Sequence, residues 1–281
     1  MAKKRYTRNE SDIQKLLSQG RGQGVGGKYS PYLFVRDVPS CGRSHRIYSK
    51  LNGRVLHLLS DIEYAHCLTF DMDETVIDIR EQFALSRADT IRIASTLGFK
   101  HPKDPTSDTK SVMTTDLVIT YKNAGKVTYK AISIKPNAHL EKPRIREKLK
   151  IEEVYWLERD VKFQILTEHD IPLHLKRSLQ WLRQYNDFSK FVEPRNGYFA
   201  KLAQNLIVRI RHKGSYESGL ADICKALDAQ FADEPGAHLM IARHLLSTRL
   251  LQTNLNREQI WNTPISEIKV NQKLDTFRQS R

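Results

Sequence analysis

Residues 114–136, TTDLVITYKNAGKVTYKAISIKP, place two runs rich in Val, Ile, Thr and Tyr on either side of Asn123-Ala124-Gly125, residues that tolerate positive φ. The pattern predicts an antiparallel hairpin. Pro136 ends its second strand, because proline cannot donate to the ladder. If Lys122 faces Val127 across the loop, the same register sets Asp116 opposite Ser133. Side chains alternate, so Ala131, Ser133 and Lys135 share the face of Asp116, while Ile132 and Ile134 take the other. On the hairpin alone, the ordinary reading is an exposed ion pair of little energetic weight.

The chain around this hairpin is 281 residues long, enough for a substantial core and better suited to two domains than to one. Its 46 basic and 32 acidic residues leave a formal net charge of +14, which points to a polyanionic partner and first of all to nucleic acid. A membrane is not expected. No apolar run approaches the roughly 20 residues needed to span one, and no secretory signal opens the sequence. Cys41, Cys67 and Cys224 are too scattered for a zinc knuckle and odd in number, so they read as reduced thiols of a cytoplasmic protein. The ten histidines show no metal-ligand spacing.

Residues 1–57 are strongly basic with few acids, in KKRYTR, GRGQGVGGKYS at 20–30 and GRSHRIYSKLNGR at 42–54. The glycine stretch lacks the lysine and hydroxyl ending of a phosphate-binding loop and follows no strong strand, so it reads as a flexible, basic segment lying along a phosphate backbone. Arg43, His45 and Arg46 have the composition of DNA contacts, against the plainer reading of a solvated loop.

SDIEYAHCLTF from Ser60 predicts a helix, TVIDIREQF at 75–83 a strand, and 86–112 a polar loop leading into the hairpin. A helix is expected over 143–160 and a buried strand in VKFQILTEHDI. Such an order suits a mixed sheet flanked by helices. Beyond about residue 168 short helical patterns dominate, at 170–185, 218–228 and 236–247, with a possible hairpin strand in LLQTNLN. The fold expected is therefore α/β, with a catalytic or binding domain over 1–168 and a mainly helical, winged-helix-like domain over 169–281.

A carboxylate on a helix, a carboxylate on one hairpin strand and a lysine at the end of the other form an arrangement by which many nucleases hold a divalent metal. Here these are Glu63, Asp116 and Lys135, with the main-chain carbonyl of Ile134 as a further oxygen donor. Phosphodiester hydrolysis calls for a hard cation, and hard cations take oxygen ligands. Glu63 also has a plain structural reading, because Ser60-Asp61-Ile62-Glu63 fits a helix capping box.

GRGQG, VPSCGRSHRIYS, GRVLHLLSDIEY and VIDIREQF within residues 20–83, then MTTD at 113–116 and SIKP at 133–136, together resemble the TnsA endonuclease subunits of heteromeric bacterial transposases. That resemblance covers most of the first 185 residues and implies a restriction-endonuclease-like catalytic domain. It implies Glu63, Asp116 and Lys135 as catalytic residues and Mg²⁺ as cofactor, with Mn²⁺ able to substitute. It further implies cleavage of transposon 5′ ends, an RNase-H-like transposase partner that cuts the 3′ ends, an AAA+ ATPase regulator, and a place on the bacterial nucleoid. Restriction-type nucleases usually carry Glu or Gln two residues before the lysine, where this chain has Ser133. The competing readings are a stand-alone restriction or repair nuclease of the same fold and a non-catalytic DNA-binding adaptor.

Overall fold

The computed structural model describes residues 8–38, 42–212 and 218–271, and the chain divides into two compact units, Met1–Ile171 and Pro172–Arg281. In the first, helix α1 (Glu10–Ser18) precedes a hairpin of β1 (His45–Ser49) and β2 (Arg54–Leu58). Helix α2 (Asp61–Asp71), strand β3 (Val76–Ala84), helix α3 (Arg87–Thr96), strands β4 (Thr114–Asn123) and β5 (Lys126–Ile134), helix α4 (Pro143–Leu157) and strand β6 (Lys162–Leu166) follow. Strands β3, β4, β5 and β6 lie side by side in that order; the first two pairings are antiparallel and the third is parallel. The parallel pairing needs a crossover, which α4 supplies. A mixed sheet flanked by helices is thus what forms.

The β4–β5 hairpin has the register expected, with Lys122 opposite Val127 and Leu117 opposite Ile132. Its two-residue turn, Ala124-Gly125, has φ of 47° and 84°, the hand that matches the twist of a tight hairpin. Period-two alternation then sorts the hairpin between two cores. Leu117, Ile119, Ile132 and Ile134 bury against Leu56 and Leu58 of β2 and Cys67 of α2. Val118 and Ala131 face the other way, toward Ile93 of α3 and Ile151, Tyr155 and Trp156 of α4. Burial of each large side chain contributes about 1.5–3 kcal/mol, so a one-residue slip that inverted the faces would forfeit both cores.

Three expectations need correction. The segment 86–112 is no continuous loop, because Ser86 caps α3 by accepting from the Asp89 N–H at 3.4 Å, and Thr90, Ile93 and Ala94 of that helix are buried. Its many polar residues cover the solvent side and hid the short apolar stripe. Strand β6 is not buried but forms the sheet edge, with only Leu166 fully covered. The glycine-rich stretch is a packed turn rather than a flexible strap. Gly22, at φ 74°, lies so close to the end of β3 that a Cβ there would come within 2.4 Å of Ala84 Cβ. Beside it Arg21 is buried, paired with Asp37 at 2.7 Å and stacked on Phe34. Of the opening KKRYTR, residues 3–7 lie outside the described residues, while the Arg8 N–H donates to Asp104 Oδ2 at 3.0 Å.

The second unit holds α5 (Leu173–Arg183), α6 (Tyr198–Arg211), α7 (Leu220–Phe231) and α8 (Ala237–Ser247), then short strands β7 (Leu251–Gln252) and β8 (Lys269–Val270) paired antiparallel. Leu202, Leu206, Ile223, Leu227, Ile241, Leu245 and Ile265 form its core. Buried Asp228 of α7 fixes the start of α8, accepting from the Gly236 N–H at 2.7 Å and the His238 N–H at 3.0 Å. No helix among the described residues is long and apolar enough to cross a membrane. Cys67 and Cys224 are buried thiols.

Candidate functional site

The open end of the β4–β5 hairpin gathers the polar residues that the cores exclude. Asp116 Oδ2 accepts from the Ile134 N–H at 2.6 Å, from Lys135 Nζ at 2.6 Å and from the Ser133 hydroxyl at 3.4 Å. Lys135 Nζ also donates to the Ile134 carbonyl at 3.0 Å, and its main-chain N–H is tied to Leu166 O of β6. Burial works to lower the Lys135 pKa, but Asp116, Glu152 and Glu63 together hold it above the ordinary lysine range.

Glu63 comes from the first turn of α2. The Ser60 hydroxyl accepts from the Glu63 N–H at 3.1 Å, and the Glu63 carboxylate accepts from the Leu59 N–H at 2.9 Å and from the Ser60 hydroxyl at 3.1 Å. The capping role expected of it is therefore present, shifted by one residue at the return bond. Its second surroundings are electrostatic. Burial, then the neighbouring Asp116, push its carboxyl up to about 7.

Two residues that sequence reasoning did not single out complete the cluster. Gln82 of β3 donates its Nε2 to Glu63 Oε2 and to Asp116 Oδ1, both at 3.4 Å. It holds φ of 47° inside a strand, a conformation that costs a residue with a Cβ roughly 1–2 kcal/mol. Glu152 of α4 is buried beside the Thr115 and Ser133 hydroxyls, and its Oε1 has no hydrogen-bond partner. Burial pushes it up to about 8, against the pull of Lys135. A helical EE pair gave no sign of this; the crossover that brings α4 over β5 does.

A carboxyl whose folded pKa is raised stabilises the fold below its ordinary range and loses that contribution as pH climbs through the folded value. With divalent cations chelated, the wild type should therefore lose melting temperature between about pH 5 and pH 8 and level off above. Glu152→Gln should flatten that fall and melt roughly 3 °C or more above wild type at pH 9. Thermal melts across this range test it, and parallel curves for the two proteins would reject the assignment.

Comparison with known proteins gives the family. Residues 73–168 match the family described as TnsA-like endonuclease N terminal, and residues 170–255 match TnsA endonuclease C terminal. The chain is also 36% identical over 255 residues to the Escherichia coli protein "Transposon Tn7 transposition protein TnsA", covering 91% of this chain and 90% of that one. The chain belongs to the TnsA endonuclease family.

For a TnsA-family chain the question becomes whether these residues suit a cation. Among the described residues, no three His, Cys, Asp or Glu side chains come together as a metal cage. The available donors are instead two carboxylates and one carbonyl. They do suit a positive charge: the Lys135 ammonium already sits on Asp116 Oδ2 and Ile134 O, two of the three oxygen donors expected. Burial and then repulsion from Asp116 raise Glu63 even though Lys135 pulls it down, so a further positive charge beside the pair would be favourable.

The three basic residues expected at DNA separate into two places. Arg43 and His45 both bond Asp61, at 3.1 and 2.7 Å, two residues from Glu63 on the same helix turn, and the His45 ring stacks on Tyr64. Arg46 projects outward from β1, paired across the hairpin with His57. That hairpin is rigidly held. Arg54 of β2 forms a two-pronged bond to buried Glu81 of β3 at 2.8 and 2.7 Å.

Proposed function

We propose that this TnsA-family endonuclease is the DNA-nicking subunit of a heteromeric transposase, cleaving transposon 5′ ends while an RNase-H-like recombinase cuts and joins the 3′ ends. The observation that carries the reading is the meeting of Lys135 Nζ with Asp116 Oδ2 and Ile134 O next to Glu63. Glu63, Asp116 and the Ile134 carbonyl would hold Mg²⁺, or Mn²⁺ in its place. When bound, the cation polarises the phosphate and acidifies a coordinated water. Lys135 turns from its oxygen partners to orient the attacking water and offset charge on the pentacoordinate phosphorus. A P–O bond to the water oxygen forms as the bond to the leaving sugar oxygen breaks.

In this reading the first unit is a restriction-endonuclease-like domain. The second, with α7, α8 and the β7–β8 pair, is a winged-helix-like domain for docking or recognition. An AAA+ ATPase regulator is the further partner. Arg43, His45 and Arg46 lie along the DNA, where Asp61 competes with phosphate for the first two. Arg43→Ala and Arg46→Ala should weaken binding to unrelated DNA sequences alike, each reducing the slope of log affinity against log salt by about 0.9. Fluorescence titrations across salt test this, and a slope unchanged in both variants would reject it.

The function itself is tested by a nicking assay with the recombinase partner, Mg²⁺ and transposon-end DNA. Cuts at the 5′ ends that require the cation are expected. Cation-independent DNA binding with no cleavage under any partner condition would make the chain an adaptor instead.

A further inference from the structure

Gln82 stands out among buried polar residues. Glu81 pairs with Leu117 and Phe83 with Thr115, so Gln82 falls opposite Asp116 in the β3–β4 ladder. Its side chain is fixed at both ends of the amide. Oε1 accepts from the Thr114 hydroxyl at 3.2 Å, which turns the NH₂ toward the acids, and the two N–H groups then have Glu63 and Asp116 as acceptors. The 3.4 Å separations are long for such bonds, as expected of one nitrogen shared between two carboxylates.

The backbone is held as firmly. Gln82 O accepts from the Tyr32 N–H at 3.1 Å, and its neighbour Glu81 is clamped by Arg54. Between these restraints the residue keeps its positive φ, a conformation that persists only where the surroundings over-determine it. A glycine would meet the backbone requirement without strain, so the backbone alone does not account for glutamine.

We propose that Gln82 is a positioning residue for the cation site, its carboxamide spanning the Glu63 and Asp116 carboxylates and setting the gap that a divalent ion fills. The inference rests on the nuclease reading above. Two like charges left to themselves splay apart, and a neutral donor between them holds them together without competing for the site as a fixed cation would. Glutamine is neutral, carries two donors on one nitrogen and reaches from β3 to both acids.

The test is calorimetric titration of the full chain with Mn²⁺, using Gln82→Gly and Gln82→Met. The glycine variant removes both amide and strain; the methionine variant keeps length and strain and removes the amide, its two donors and the oxygen that accepts from Thr114. Both should bind Mn²⁺ about tenfold more weakly than wild type. The glycine variant should melt no lower than wild type, which separates positioning from a general structural role. Should the glycine variant fail to fold, the methionine variant decides alone. A folded variant that binds Mn²⁺ within about twofold of wild type would overturn the proposal while leaving the nuclease reading intact. A wild-type chain that takes up no Mn²⁺ would overturn both.

Discussion

Asp116→Ala is expected to lose cation affinity and nicking together, whereas Lys135→Ala keeps the cation and still loses nicking by at least about a hundredfold. The difference follows from the contacts. Asp116 Oδ2 is an oxygen donor, and Lys135 Nζ is the positive charge now resting on it. Removing the lysine vacates Asp116 Oδ2 and Ile134 O, so cation affinity in Lys135→Ala should equal or exceed that of wild type. Removing the aspartate takes away an oxygen donor and leaves a half-buried ammonium without its nearest partner. Mn²⁺ titration beside the nicking assay separates the two, and equal loss of cation binding in both variants would reject the division of roles.

Glu63→Gln should melt no lower than wild type and lose nicking by a comparable factor of about a hundred or more. The glutamine Oε1 can still accept from the Leu59 N–H, and the Ser60 hydroxyl can turn to accept from the amide NH₂ in place of donating, so the start of α2 survives. What disappears is the charge. Because the Glu63 carboxyl lies near 7, its ionised fraction in the cation-free protein rises across pH 6–8. Wild-type Mn²⁺ affinity should therefore climb by roughly tenfold over that interval and then level off, while the variant shows a much shallower climb. A variant that cuts at the wild-type rate would remove Glu63 from the chemistry and leave it a helix cap.

The hairpin was the most legible part of the sequence, because strict alternation and an Asn-Ala-Gly turn leave one register that buries Leu117, Ile119, Ile132 and Ile134 together. The register placed Asp116 and Lys135 on one face, whereas Glu63 was singled out by the family resemblance, with the cap pattern at Ser60 as its plain structural reading. Gln82 and Glu152 did not follow. Gln82 reads as one more polar residue of a strand until the β3–β4 pairing, fixed by contacts far apart in sequence, sets it against Asp116. Glu152 sits in a helix whose acidic and basic residues look solvated, and only the crossover of α4 turns it inward. The basic N-terminal region misled for a related reason. Composition announced charge and glycine, yet Arg21 and Arg54 are consumed by Asp37 and Glu81, and Gly22 and Gly24 permit close approach rather than mobility.

The order in which the chain leaves the ribosome gives the sheet topology one more meaning. Glu63, Gln82, Asp116, Lys135 and Glu152 come from α2, β3, β4, β5 and α4, five successive stretches with no local subset that forms the cluster alone. Such a non-local arrangement assembles late, after the costly closure of long loops. A nascent or proteolysed fragment ending before α4 lacks the helix that carries Glu152 and the β6 carbonyl that anchors Lys135. The full cluster is therefore absent from any chain whose synthesis has not passed β6 and comes together only with the finished sheet.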